Sequence, residues 1–264
     1  MKRLTLIIVT LVFASMTIHA QEGLTEGELA KEAQNPIADL ISVPFQNNTT
    51  YRIGDNNSVQ NILNIQPIIP LGFEKFNVIT RTIIPIVSQP NTSGGDNHNG
   101  LGDINITAFF SPKKASEVTW GFGPIFQFPT ASSDEVGTGL FAMGPAFVII
   151  ATQEKWVYGF LVNNIWSFDD LKSLKIMTLQ PIVNYNLPKA WYLVSAPIWQ
   201  ANWRLSDGNQ WLMPLGGGLG KVIRIGKLPI NINAHVYYNV KMQDPNWGRW
   251  QSRFQISFLF PKGR

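Results

Sequence analysis

Along the last stretch of the chain, Trp250, Ser252, Phe254, Ile256, Phe258 and Phe260 alternate with Gln251, Arg253, Gln255 and Ser257. One face is aromatic and apolar; the other carries amides and a cation. A period of two marks a strand that divides two environments. A soluble sandwich alternates too, but it turns its aromatics inward and coats its outside with charge. Here the polar face is short of charge and the apolar face is rich in rings. A transmembrane β-barrel strand needs this pattern, with lipid on one side and a lumen on the other.

The same period recurs along the chain. Twelve strand-like segments are predicted in up-and-down order, at 45–53, 59–70, 75–86, 101–111, 117–128 and 138–151, then 155–167, 174–186, 190–203, 210–224, 228–241 and 249–260. Most suit the ~9–11 residues of a tilted membrane-crossing strand. An even number fits a single-chain barrel with both ends on one side of the membrane. The predicted fold class is all-β, an up-and-down antiparallel transmembrane β-barrel of about 12 strands with a short N-terminal helical segment. Three regions are expected: a signal peptide over 1–20, a helical lead-in or plug over 21–44, and an outer-membrane β-barrel over 45–264.

Composition strengthens the barrel reading. Only 14% of residues are charged, against roughly 25% in ordinary globular chains. Asn and Gln supply polarity instead, and amides can line a lumen without the cost of burying ions. Cysteine is absent, which excludes disulfides, Cys-ligated metals and a lipidated N-terminal Cys. Lys2 and Arg3, the apolar run from Leu4 to Phe13 and a cut after Ala20 read as a cleaved secretory signal. Its loss leaves 19 cations against 17 anions, so no nucleic-acid partner is expected. No later segment holds ~18 consecutive apolar residues, so this chain crosses a membrane as a barrel if it crosses at all.

Charge sorts the connections into two sets. One contains Asp55, Asp96, Asp134, Glu135, Asp169, Asp170, Asp207 and Asp244, with Lys172 nearly its only cation, and it includes the longest loops. The other contains Lys75, Lys113, Lys114, Lys155, Lys189, Arg224 and Lys227, against Glu74, Glu117 and Glu154. Long loops belong outside the cell and short turns face the periplasm. Trp120, Trp156, Trp191, Trp203, Trp211 and Trp250 lie near strand ends, where interfacial girdles form.

Alternation assigns the lumen. Asn231, Asn233 and His235 oppose Ile230, Ile232 and Ala234; Gln60, Asn64 and Gln66 oppose Leu63, Ile65 and Ile69; Asp103 and Asn105 oppose Ile104 and Ile106. Arg81 and Arg253 fall on inward faces, and Arg81 and Asp103 are expected to pair near mid-lumen as a polar constriction. The sixth and seventh segments alternate poorly. Gly216, Gly218 and Gly220 share one inward face, which signals either a barrel bend or the close approach of another backbone or a ligand. Over 26–34 the chain is helix-compatible, as a periplasmic lead-in or as a plug within the lumen. Pro67, Pro85, Pro124, Pro145, Pro181, Pro197 and Pro214 each remove a ladder donor. They mark bulges and strand ends, or else a distorted wall with a lateral opening.

Catalysis has little to stand on. His98 lies in a polar loop. His235 is expected diagonal to Ser257 with Asn233 or Asn239 as orienter, but these residues face inward, whereas outer-membrane phospholipases display their site toward lipid. No His/Asp/Glu cluster has metal-ligand spacing, so no cofactor is expected.

Several segments carry a family resemblance: the run from Leu29 to Asn48, Leu63-Asn-Ile-Gln-Pro67, Ile79-Thr-Arg-Thr-Ile-Ile-Pro85, Gly100-Leu-Gly-Asp-Ile104, Val162-Asn-Asn164, Gln180-Pro-Ile-Val-Asn-Tyr-Asn186, Leu215-Gly-Gly-Gly-Leu-Gly-Lys221 and Phe258-Leu-Phe-Pro261. Through them the chain resembles the outer-membrane transporter family linked to phenol meta-pathway degradation, some of whose members carry the label "neuromedin U". The end of the chain also resembles the signal read by the outer-membrane assembly machinery, although Pro261 to Arg264 follow its last Phe. The resemblance implies a channel or transporter for small molecules, hydrophobic or aromatic ones among them, with membrane lipid and the assembly machinery as partners. A non-transporting structural or surface-interaction barrel is the alternative, and a barrel lipid hydrolase a distant third. The expected path is lined by Arg81, Asp103, Asn105, Asn64, Gln66, Asn231, Asn233, His235, Arg253, Gly216, Gly218 and Gly220.

Overall fold

The computed structural model describes residues 24–92, 94–113, 117–168, 173–206, 208–244 and 247–261. The expected signal peptide, Lys114, Asp169, Asp170, Lys172 and Asp207 lie outside them.

A helix, α1 (Glu26–Gln34), precedes the strands. It begins with a capping box: the Thr25 hydroxyl accepts from Glu28 N–H, and the Glu28 carboxylate accepts from Thr25 N–H. Two otherwise orphaned amides are thereby satisfied. Asn35 then caps the C-terminal end in an extended conformation, just before Pro36.

The strands are β1 (Leu40–Ile53), β2 (Ser58–Ile65), β3 (Ile68–Gly72), β4 (Phe76–Gln89), β5 (His98–Leu101), β6 (Ile104–Pro112), β7 (Val118–Phe128) and β8 (Ala142–Gln153). They continue as β9 (Trp156–Ser167), β10 (Lys175–Asn186), β11 (Trp191–Ser195), β12 (Trp199–Asn202), β13 (Trp211–Ile225), β14 (Leu228–Lys241) and β15 (Trp250–Pro261). All pair antiparallel with their neighbours, and β1 closes on β15 from Leu40↔Pro261 to Tyr51↔Trp250. Closure leaves no edge strand, so every stave finds ladder partners on both sides.

The fifteen segments form twelve staves. β2 and β3 are halves of one stave, both lying between β1 and β4. β11 and β12 share a stave between β10 and β13. β5 and β6 both pair with β4. The first two breaks fall at Pro67 and Pro197, where a missing N–H interrupts the ladder. The twelve expected segments correspond to these staves. β1 starts at Leu40, five residues before the expected strand start.

The outer wall carries Phe110, Phe122, Phe160, Leu193, Leu215, Val236 and Phe254, all exposed. Rings collect at both rims: Trp203 against Trp211 and Tyr238 against Trp250 on the long-loop side, and Trp156 against Tyr185 on the short-turn side.

Inside, the two halves of the wall differ. From β6 to β10 the inward face is apolar: Phe109, Ile125, Ala146, Val148, Ile150, Val157, Leu161, Ile165 and Ile182 pack into one buried cluster with Ile37 and Ile79. Poor alternation in the sixth and seventh predicted segments has this cause. β8 and β9 do alternate, but both of their faces meet apolar surroundings. The amides expected along the lumen concentrate in the other half, while Gln127, Gln180 and Asn184 interrupt the apolar half.

Candidate functional site

The polar half of the inner wall is built on β14, β15, β1 and β2. Antiparallel register places Asn233 opposite Gln255 and His235 opposite Arg253. Gln46 stands between Gln255 on one side and Asn64 on the other. Polar residues at every second position thus form rows that cross from strand to strand.

One row forms a continuous ladder. Tyr192 Oη donates to Asn231 Oδ1 at 2.7 Å and accepts from Asn233 Nδ2 at 3.3 Å. Asn233 Oδ1 lies 2.8 Å from His235 Nε2, and His235 Nδ1 lies 2.7 Å from Tyr237 Oη. Arg253 sits over the Tyr237 ring, with its guanidinium carbon 5.1 Å from the ring centre. Its Nε donates to Asn48 Oδ1 at 2.9 Å and its Nη1 to the Ala196 carbonyl at 2.8 Å. Ala196 precedes Pro197 at the break between β11 and β12, so the interrupted stave turns a carbonyl toward the guanidinium.

A second row meets the first. Arg81 Nη2 donates to Gln66 Oε1 at 2.7 Å, Gln66 Nε2 to Gln46 Oε1 at 3.2 Å, and Gln46 Nε2 to Gln255 Oε1 at 2.9 Å. Arg81 Nε is buried and has no hydrogen-bond partner. A buried donor left unpaired costs about 1–3 kcal/mol. Arg81 and Arg253 line the same cavity, of about 130 Å³, together with His235, Asn231, Asn233 and part of α1.

α1 lies within the barrel at the short-turn end. Leu29 and Ala30 are fully buried against Ala190, Tyr192, Val194 and Val222. Gln34 Nε2 donates to Asn186 Oδ1 at 2.9 Å, and Arg224 Nη2 donates to the Leu24 carbonyl at 2.7 Å. Glu32 borders the cavity. Crowding by protein, and secondly the field of Asp39, hold its carboxyl above the ordinary carboxylate range.

Other expected residues are placed differently. Asp103 does not pair with Arg81. Its carboxylate accepts from the backbone N–H groups of Ala131, Thr138 and Gly139 and from the Thr138 hydroxyl, at 2.6–3.2 Å. It pins a long loop against the rim, and the ladder sets Arg81 opposite Thr107, four residues along from Asp103. Asn105 Nδ2 donates to the Asp103 carbonyl at 3.1 Å, close to the same rim. Asn64 faces inward opposite Gln46. His235 is not diagonal to Ser257, whose opposite number is Asn231; Tyr237 and Asn233 engage its two ring nitrogens.

Gly216, Gly218 and Gly220 face inward, opposite Tyr237, His235 and Asn233. A Cβ at Gly220 would collide with the Tyr192 ring, and one at Gly218 with the Ala234 carbonyl. Gly220 thus makes room for the tyrosine that heads the ladder, while Gly216 and Gly218 lie close against the β14 backbone. Tyr192, Gln46, Asn48 and Gln255 escaped sequence reasoning as parts of the site. Register across strands brings them together, and only alternation within strands was legible.

No protein-family profile matches the sequence, and no curated protein does either. Solved structures do. The COG4313 outer membrane channel from Pseudomonas putida F1 superposes with a TM-score of 0.59 at 14% identity, over 84% of this chain and 94% of that one. The NanC porin gives 0.52 at 10% identity, over 84% of this chain and 100% of that one. The CymD monoaromatic hydrocarbon channel is a looser match, at 0.47 and 8% identity over 91% and 92%. The barrel seen here is thus a fold used by outer-membrane channels.

Proposed function

We propose that this chain is an outer-membrane channel for small molecules, entered from the long-loop side and narrowed by α1 at the short-turn side. The observation that carries the reading is a closed barrel whose interior keeps a cavity of about 130 Å³ between the polar wall and α1. A barrel of ~8 strands is filled by side chains, whereas one of 16–18 leaves a wide aqueous pore; twelve staves leave room for a narrow passage. The fold shared with the COG4313 channel supports the same reading. Hydrophobic and aromatic cargo is favoured by the apolar side chains that border this cavity, Pro44, Ile68, Ile182, Val194 and Leu259.

A second route has its own observation. On the outer wall, Phe110, Phe122, Pro124, Pro145, Phe147, Val162 and Met177 line an apolar hollow. Behind it the β6–β7 ladder lapses between Thr107↔Ile125 and Phe110↔Phe122, and the β8–β9 ladder between Met143↔Trp166 and Ala146↔Asn163. Pro124 and Pro145 stand opposite each other there, and neither has an N–H to give. Apolar cargo could leave sideways through this thinned wall.

Liposome swelling tests the channel reading. Vesicles holding the purified barrel should swell in small phenols and sugars faster than empty vesicles. Swelling no faster than in empty vesicles would favour the structural-barrel alternative.

A further inference from the structure

The polar wall holds two guanidiniums with neutral partners. Arg253 donates to an amide oxygen and a backbone carbonyl, and Arg81 to an amide oxygen. Both line one cavity. The acid expected beside Arg81 is Asp103, which loop amides occupy instead. The acid that borders the cavity is Glu32, at the α1 end, where Asp39 is the charge that acts on it. Like charges brought together in a partly dry space repel, and each pays for its lost hydration. Arg81 also leaves its buried Nε unpartnered.

From this juxtaposition we infer that the cavity between Arg81 and Arg253 is a binding site for a small organic carboxylate carried by the channel. A carboxylate supplies the missing countercharge and accepts from guanidinium N–H groups in a matching planar geometry. Beyond the guanidiniums the cavity is bordered by Pro44, Ile68, Ile182, Val194 and Leu259. These suit an apolar body attached to the acid group. A cavity of about 130 Å³ compares with the 150 Å³ that holds benzene in an engineered protein core. The inference deepens the channel reading and rests on it for the word cargo; the binding itself stands apart from transport.

The test titrates benzoate, and benzamide as its neutral isostere, into the purified full-length barrel by calorimetry. Wild-type barrel should bind benzoate saturably and benzamide about tenfold or more weakly, as befits a charge-assisted contact. Arg81→Gln should weaken benzoate about tenfold and leave benzamide unchanged, while Arg81→Lys should recover part of the loss. Heat-modifiable gel migration checks that each variant has folded. Equal binding of the two probes, or benzoate binding indifferent to Arg81→Gln in a folded barrel, would overturn the site. Conductance of the same preparations separates the two claims. Benzoate binding without conductance would sustain the site and sink the channel; conductance without charge-dependent binding would do the reverse.

Discussion

Asp103 shows how one carboxylate can be misread from alternation alone. Its inward face is correct, but the loop from Ala131 to Gly139 supplies four donors to it. Hydrogen bonds to an ionised acceptor are worth about 1.5–3 kcal/mol each and are not additive. Asp103→Asn should therefore free this loop, at a local cost of at least about 2 kcal/mol, and leave ion selectivity in place. Limited proteolysis of the intact barrel reads the outcome as faster cleavage within 131–139. Arg253 is the contrary case. Its inward face was legible in the terminal strand, but its partners were not: Ala196 lies 57 residues away and is exposed as an acceptor only by the break at Pro197. Contacts of that sequence separation leave no local trace.

Among the elements, α1 has the clearest consequences. Its helical stretch is visible in the sequence, but its seat is not, because Leu29 and Ala30 meet residues of β11 and β13. Leu29→Ala should cost about 2–5 kcal/mol of local packing. The expected result is a helix open to protease in a barrel that still shows the heat-modifiable shift. The seating should also depend on pH. The Glu32 carboxyl is held above its ordinary value of 4.5, first by burial and then by Asp39. The seated state thus holds the proton more tightly than the released one. Seating should strengthen as pH falls from neutrality through the raised value, and the gain should be complete below 4.5. Glu32→Gln should give the acid-like protection at neutral pH and flatten the dependence. Protease protection of α1 that instead weakens on acidification would contradict this. The strands were the most legible elements, since a period of two survives wherever the faces differ. It fades in β8 and β9, where an internal apolar cluster gives both faces the same chemistry.

For the whole molecule, the ring of staves and the sorting of loops by charge carry the topology. An epitope tag between Asp96 and Asn97 should be reached by antibody on intact cells. One between Leu187 and Pro188 should be reached only after permeabilisation. Asp96 is a better site than Asp134, because the neighbourhood of Asp134 is pinned by Asp103. The closing strand adds a check on the wall: Phe254 is exposed outward and Gln255 faces in. Phe254→Asp should cost up to a few kcal/mol in the bilayer, less for an acid than for Lys or Arg, and reduce the folded fraction on gels. Gln255→Asp should be tolerated.

The central claim is that the lumen conducts and that α1 narrows it. Single-channel recording in planar bilayers tests this most directly, comparing the full barrel with one lacking residues 24–35. Discrete conductance steps are expected for the full barrel, and larger steps once the helix is removed. Silent membranes from both folded preparations would contradict the claim.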